Sequence, residues 1–151
     1  MAKRFEFRLQ TLLRVRELRE REAKRNLATK RAEIAQLDHL NKQTTEEIFR
    51  QQETLLSGQR EGQIDPTTLQ RGRAWIAHLR HTVMTRQVQR QELVGKLEHL
   101  KAAWREARTQ TRIIEKLRQR RWKEYTRDRD RREQAELDEL AQQLHRQQPV
   151  L

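Results

Sequence analysis

The chain has 151 residues, of which 37% are charged and 34% are hydrophobic, and its formal net charge is +12. It contains four glycines, two prolines and no cysteine, and it is rich in the strong helix formers Leu, Ala, Glu, Gln, Lys and Arg. This composition excludes disulfide and thiolate chemistry, argues against a thick globular core, and favours long helices with a narrow apolar stripe.

The sequence contains neither an apolar run of membrane-spanning length nor the apolar core of a signal peptide. A cytoplasmic protein is therefore predicted. Its positive charge favours an acidic partner, which could be nucleic acid, an acidic membrane surface or an acidic protein.

Helix one is predicted over residues 5–56 from the spacing of its apolar residues. From Ala23 onward they fall on positions that alternate steps of four and three residues, which is the heptad pattern of a coiled coil. We call the positions on this series the seam. Its members in helix one are the apolar residues Ala23, Leu27, Ile34, Leu37, Ile48 and Leu55 and the polar residues Lys30, Asn41, Thr44 and Gln51.

A loop is predicted at residues 57–65, in a stretch that contains half of the glycines and the only serine. Asp65 is a favourable N-cap and Pro66 suits the first helical position, so helix two is predicted to begin at Pro66. No further strong helix breaker occurs before Pro149, and the predicted end is about residue 147. The seam of helix two comprises Leu69, Gly72, Ile76, Leu79, Val83, Arg86, Arg90, Leu93, Leu97, Leu100, Trp104, Ala107, Thr111 and Ile114.

Two long helices joined by a short loop predict an all-α fold. We expect residues 1–151 to form a single coiled-coil domain, a long antiparallel two-helix hairpin with the shape of a thin rod and with the second helix overhanging. The two seams predict a register in which Leu55 faces Leu69 and Ile34 faces Arg90. The polar seam residues expected to specify this register, at some cost in stability, are Asn41, Arg86 and Arg90.

The predicted register places Phe5 level with Gln119, so helix two should lack a partner inside the chain beyond about that point. Positive charge collects in the same region. Residues 1–31 carry 11 Lys and Arg against 4 Asp and Glu, and residues 111–133 carry 10 against 5. A uniformly solvated surface would spread its charge more evenly. The open end of the hairpin is therefore predicted to be basic and to meet an acidic partner.

Three interpretations are open for the arginines of residues 115–133. Acidic residues alternate with them at helical i, i+3 and i, i+4 spacings, which explains part of the pattern as a solvated helix face. The arginines could also bind nucleic-acid phosphates, although a DNA-reading basic helix usually carries fewer acids and belongs to a parallel dimer. A protein-binding surface is the preferred interpretation, without a specific nucleic-acid partner.

The aromatic residues divide by their position relative to the seam. Trp104 lies on the seam and is predicted to be core, whereas Trp75 lies beside it and should be half exposed. Trp122 and Tyr125 lie beyond the internal partner. Two interpretations of this pair carry equal weight: burial in an interface with another protein, or a cover over the open end of the hairpin.

Residues suited to catalysis or metal binding are scarce. His78 and His81 have an i, i+3 spacing that suits a metal, but no third ligand is evident, so surface histidines are the preferred interpretation. The sequence shows no phosphate-binding glycine loop, no nucleophile–base set and no paired acids in a pocket. We expect no enzyme activity and no cofactor.

Three stretches together resemble the FliJ family of the bacterial flagellar export apparatus. "FEFRLQTLLRVRELRE" at residues 5–20 is similar to the family's opening, with aromatic-x-aromatic, Leu-x-x-Leu-Leu, then Arg and Glu. "LKAAWREARTQ" at residues 100–110 contains the family's Trp-Arg-Glu, and "EKLRQRRWKEYTRDRDRREQAELDELAQQ" at residues 115–143 resembles its C-terminal stretch. The order and spacing of the three motifs are more specific than any one of them.

The resemblance implies a non-enzymatic, cytoplasmic stalk protein that is monomeric on its own. Its partners would be the export ATPase FliI hexamer, the export gate protein FlhA and export chaperones, and it would lie at the inner face of the cell membrane only through them. Such stalks resemble the coiled coil of the rotary ATPase γ subunit. The equivalent stalk of a virulence type III secretion system is the nearest alternative, and the aromatic-rich N-terminus favours the flagellar branch.

The resemblance and the charge distribution together predict two contact surfaces. The ATPase-ring contacts would be Phe5, Phe7, Arg14, Arg16, Arg118, Arg120, Arg121, Trp122 and Tyr125. The export-gate contacts would be Ile48, Trp75 and Leu79. Some family members have aromatic or apolar residues on the opposing helix where this chain has Thr45 and Gln52.

Overall fold

The computed structural model describes residues 3–148, and they form two α-helices. Helix α1 spans Gln10–Arg60 and helix α2 spans Pro66–Gln147, with no strand among the described residues. The helices pack against each other in antiparallel directions, which confirms the predicted all-α hairpin. The predicted breaker Pro149 lies outside the described residues.

Each helix contributes to two compact units. One, which we call the hairpin unit, comprises Glu22–Arg105. The other, which we call the terminal unit, comprises the described residues up to Arg21 and those from Glu106.

Helix α1 ends at Arg60 rather than near Leu56, because Gly62 and not Gly58 terminates the helix. Gly62 has a φ of 67° and occupies the left-handed position of a Schellman motif. Its N–H donates to the Gln59 carbonyl at 3.2 Å, and the Gln63 N–H donates to the Gly58 carbonyl at 3.2 Å. These two bonds satisfy carbonyls that the helix end leaves without partners.

Gly58 continues the helix because it accommodates an apolar residue of the loop. A Cβ atom built on Gly58 would clash with the side chain of Ile64. The absence of a side chain here therefore lets Ile64 fold back onto α1. The predicted start of α2 matches the structure: the Asp65 carbonyl accepts from the Leu69 N–H at 3.1 Å, and its carboxylate accepts a longer bond from the Thr67 N–H at 3.4 Å.

Helix α1 begins at Gln10, later than the predicted Phe5. Residues 3–7 have no regular structure and residues 8–9 form a turn, in which the Gln10 N–H donates to the Phe7 carbonyl at 3.1 Å. We call residues 3–9 the strap. Helix propensity alone extends α1 through this segment, but contacts between the strap and α2, described below, hold it in a different conformation.

The seam is the interior of both units. In the hairpin unit its most buried members are Leu27, Ile34 and Ile76. In the terminal unit the seam residue Thr111 is 2% exposed, and Leu13, which continues the same series before Ala23, is 4% exposed. The remaining seam members from the predicted set are half-buried: Ala23, Leu37, Ile48, Leu55, Leu69, Leu79, Val83, Leu93, Leu97, Leu100, Trp104, Ala107 and Ile114. A stripe this narrow gives a two-helix interface without a third layer, as the composition predicts.

The register of the hairpin unit differs from the predicted one by one step of the seam. A Cβ atom built on Gly72 would lie 2.7 Å from Leu55 Cδ2, so Gly72 rather than Leu69 faces Leu55. Likewise, Arg90 Nε donates to Asp38 at 2.7 Å, and Asp38 adjoins Leu37, the seam residue one step beyond the predicted partner Ile34. Because such a shift keeps every seam residue in the interface, the heptad pattern cannot distinguish the two registers.

Polar seam residues are accommodated unequally. The Arg86 guanidinium extends across to α1, where it donates to the Leu40 carbonyl at 3.3 Å and the Thr44 hydroxyl at 2.7 Å. Asn41 Oδ1, by contrast, is buried and has no hydrogen-bond partner among residues 3–148. An unsatisfied acceptor of this kind costs about 1–3 kcal/mol.

Paired cysteines test the observed register, since the chain has no cysteine of its own. The double variant Leu55→Cys, Gly72→Cys is expected to form an intramolecular disulfide on mild oxidation, because the two positions face each other. The control, Leu55→Cys with Arg71→Cys, places the second thiol on an exposed position of α2. Mobility on a non-reducing gel and mass spectrometry measure the outcome. Equal oxidation of the two variants, or intermolecular products alone, would contradict this register.

Candidate protein-binding surfaces

Three aromatic side chains meet in the terminal unit. The Phe5 ring of the strap packs edge-on against Trp122 with ring centroids 5.1 Å apart, and it lies 5.5 Å from the Tyr125 ring. Trp122 and Tyr125 are themselves stacked at 5.7 Å, one turn apart on α2. Such pairs contribute about 0.5–1.5 kcal/mol each beyond the area they bury.

A hydrogen bond completes the attachment of the strap. The Tyr125 hydroxyl donates to the Lys3 carbonyl at 2.5 Å. The expectation that Trp122 and Tyr125 lack a partner inside the chain is therefore wrong, because Phe5 and the strap backbone contact them. The interpretation as a cover matches this packing, yet Trp122 keeps 48% of its surface exposed and remains available to a partner.

The seam ends where the cluster begins. Ile114 and Leu117 are half-buried, whereas Arg118 and Arg121, which a continued seam would bury, are exposed. Arg121 forms an ion pair with Glu124 at 3.4 Å, but both side chains are largely exposed, so the pair adds little stability. Arg120 is also exposed. Arg118 and Arg121 therefore form a solvated basic face beside the aromatic residues, whereas Arg120 lies on another side of α2.

The other residues predicted to contact the ATPase ring lie on or near α1. Phe7 is half-buried in the strap, and Arg14 is exposed. Arg16 is half-buried and donates a hydrogen bond to the Gln110 side chain of α2. The structure thus brings Phe5, Trp122 and Tyr125 together with Arg118, while Arg16 already has a partner within the terminal unit.

A groove of about 340 Å³ opens beside the cluster. We call it the aromatic groove, and it is lined by Phe5, Arg118, Gln119, Trp122 and Lys123. Within residues 3–148, neither Arg118 nor Lys123 takes part in an ion pair. Sequence reasoning missed Gln119 and Lys123 as site residues, because their position beside Phe5 depends on the strap.

The C-terminal part of α2 has no contact that covers it. Every residue from Arg127 to Gln148 is exposed, including Leu137, Leu140 and Leu144, which share one helix face. This segment is helical without a packed partner in the described part of the chain.

The predicted gate surface belongs to the hairpin unit. Trp75 is 47% exposed, and its ring is stacked on His78 with centroids 5.5 Å apart. Ile48 and Leu79 are half-buried in the seam, so Trp75 is the predicted gate residue with the largest free surface. Phe49, which sequence reasoning did not select, is 62% exposed on α1.

One ionisable group near Phe49 has a shifted pKa. The Gln51 amide donates to the Glu47 carboxylate at 3.0 Å, and Arg50 donates to it at 2.8 Å. These hydrogen bonds stabilise the charged form and lower the pKa of Glu47. The half-buried carboxylate therefore stays ionised at neutral pH.

Residues 3–148 offer neither a metal site nor a membrane span. They contain no cluster of His, Cys, Asp or Glu that could hold a metal ion, and His78 instead stacks on Trp75. No helix in the same range is long and apolar enough to span a bilayer.

The comparisons with known proteins point to one family. The sequence model of the family described as "Flagellar FliJ protein" matches residues 5–149, which is nearly the whole chain. No curated protein and no solved structure matches the chain. The matched range includes residues 5–9 of the strap, both helices and the aromatic groove. The chain therefore belongs to the FliJ family and is a non-catalytic component of the flagellar export apparatus.

Proposed function

We propose that the chain binds the ring of the export ATPase FliI through the terminal unit and raises the activity of that ring. The observation that carries this proposal is the aromatic cluster beside free cations. Trp122 is half exposed beside Arg118 and Lys123, both of them exposed, with which it lines the aromatic groove. Large aromatic residues and arginines are the side chains that most often dominate protein–protein binding energy.

Charge and aromatic surface have different roles in the proposed contact. The basic residues attract an acidic partner over a distance and orient it, which mainly speeds association. The aromatic side chains exclude water once the contact has formed, which mainly slows dissociation. The cluster is also held in place by the Tyr125–Lys3 hydrogen bond, so less side-chain freedom is lost on binding.

The second proposed contact is the gate protein FlhA, through the surface around Trp75. An exposed tryptophan stacked on a neighbouring ring presents a large apolar area at small entropic cost. Export chaperones are further proposed partners, as the family resemblance implies. Association with the inner face of the cell membrane would then come only from these partners.

The two contacts are tested together with purified proteins. The chain is expected to raise the ATP hydrolysis rate of FliI in proportion to its concentration until the effect saturates. Trp75→Ala is expected to weaken capture of FlhA at least about tenfold, which corresponds to about 1.4 kcal/mol. Met84→Ala, which removes another exposed apolar side chain of the hairpin unit, is the control and should not weaken capture. An unchanged FliI rate would refute the ring proposal, and equal capture by both variants would refute the gate surface.

A further inference from the structure

We propose that the aromatic groove binds an extended peptide segment in which a carboxylate lies next to a bulky apolar side chain. The inference rests on the proposed function in one respect: it assigns this chemistry to the part of the ring partner that meets the terminal unit.

The lining of the groove combines two kinds of surface within a few ångströms. Phe5 and Trp122, whose centroids are 5.1 Å apart and whose planes are inclined by 78°, form two apolar walls at a steep angle. Arg118 and Lys123 supply cations, and Gln119 supplies an amide that can donate or accept. A ligand that matches all three must carry an apolar group and an acceptor close together.

The two cations of the groove are free to bind an external acceptor. Elsewhere in residues 3–148, Lys30, Arg50, Arg90, Lys101, Arg121 and Arg129 each lie within 4 Å of a carboxylate of the chain. Arg118 and Lys123 do not, although they lie on the same basic segment. Because Arg118 presents a planar fork of donors, it can bind both oxygens of a carboxylate, and charge-assisted bonds of that kind are stronger than neutral ones.

A carboxylate suits the groove better than the phosphates of a nucleic acid. The helix around the groove carries Glu115, Glu124, Asp128 and Asp130 as well as its arginines, so a continuous chain of phosphates would meet repulsion along α2. The groove is also bounded on one side by Phe5 of the strap. A volume of about 340 Å³ accommodates one or two side chains rather than a tract of stacked bases.

The strap is part of the proposed site. Phe5 supplies one wall, and the bond from Tyr125 to Lys3 holds the strap backbone against α2. Without the strap, Trp122 and Arg118 would remain on an open helix face with nothing opposite them. The groove therefore requires both the strap and residues 118–123 of α2, which explains why no single stretch of sequence contains it.

The probe is an acetylated, amidated peptide of five residues, Gly-Leu-Glu-Leu-Gly, added to the full-length chain. Matched peptides replace Glu with Gln or both Leu residues with Gly, and a short oligothymidylate tests phosphate. Binding is followed by the three tryptophan indole N–H signals in ¹⁵N–¹H NMR spectra. The Trp122 signal is expected to shift with the Leu-Glu-Leu peptide, while Trp75 and Trp104 serve as internal references within the same molecule.

Paired variants separate groove recognition from general charge attraction. Arg118→Gln with Lys123→Gln is expected to weaken peptide binding about tenfold, because both cations of the groove are lost. Arg127→Gln with Arg131→Gln makes the same change in net charge on exposed positions outside the groove, and should change affinity less than about twofold. Phe5→Ala should weaken binding while leaving both cations in place. Circular dichroism checks that each variant keeps its helix content.

Each contrary result overturns the inference. Binding of the Gln peptide as tightly as the Glu peptide would exclude carboxylate recognition, and equal losses in the two charge variants would reduce the effect to net charge. A larger Trp122 shift with oligothymidylate than with peptide would show that the groove prefers nucleic acid. The absence of any shift at millimolar peptide would show that the groove is not a peptide-binding site. FliI stimulation is measured in parallel: peptide binding without stimulation refutes only the ring proposal, and stimulation unaffected by Arg118→Gln with Lys123→Gln refutes only the groove.

Discussion

The double variant Trp122→Ala, Tyr125→Ala is expected to lose about 1–3 kcal/mol of binding free energy toward the FliI ring, mainly through faster dissociation. Trp122 offers the partner the exposed half of its surface, and Tyr125 holds both Trp122 and the strap in position. Removing both side chains takes away the anchor and the support of Phe5 at once. Dissociation measured by surface plasmon resonance, together with the ATPase rate at saturating chain, gives the result.

A matched pair in the hairpin unit controls for the general loss of apolar surface. Phe49→Ala with Met84→Ala also removes two large exposed side chains, and it should leave dissociation from the ring unchanged. Neither double variant should unfold the protein, because the seam ends at Ile114 and contains none of the four residues. If the Trp122, Tyr125 variant dissociates no faster than wild type, the aromatic cluster is a cover for the terminal unit and not a ring contact.

The triple variant Arg118→Gln, Arg120→Gln, Arg121→Gln is expected to associate with the ring about tenfold more slowly at low salt. Its association rate should also respond less to added salt, because fewer charges remain for salt to screen. The Debye length shortens from about 30 Å at 0.01 M to about 8 Å at 0.15 M. Exposed charges contribute mostly to the encounter, so the dissociation rate should change less than the association rate. Association rates measured over a series of salt concentrations test both statements.

A second triple variant has the same net charge as the first and serves as its control. Arg71→Gln, Arg73→Gln, Arg80→Gln removes three exposed arginines from the hairpin unit. If the terminal basic residues steer association, this control retains most of the wild-type rate and its salt dependence. Equal slowing in the two triple variants would mean that overall charge, and not the basic face beside the aromatic groove, governs the encounter.

Local features of the sequence were sufficient to predict the two helices and their seam. Asp65 and Pro66 start α2 because an N-cap acceptor and a fixed φ act within one helical turn. The seam could be read from the sequence because the apolar period follows from the geometry of a single helix. The charge distribution and the family resemblance likewise needed no coordinates, and the family match over residues 5–149 agrees with that resemblance.

Tertiary contacts decided the features on which the proposals depend. Sequence reasoning extended α1 to Phe5, whereas packing on Trp122 and Tyr125 holds the strap in a non-helical path. Contacts between residues so distant along the chain leave no periodic signal. The aromatic groove, including the role of Lys123 in it, therefore depends on the position of the strap and could not be predicted from the sequence.

The register and the end of α1 show the same division. A heptad seam states which residues face the partner helix, but a shift by one seam step satisfies it equally well, so the contact of Gly72 with Leu55 had to come from packing. Two glycines could end α1, and Ile64 folding onto Gly58 leaves Gly62 as the left-handed cap. The sequence by itself determined what depends on one helix and its period. The tertiary structure determined which of several locally equivalent alternatives lets distant side chains pack together.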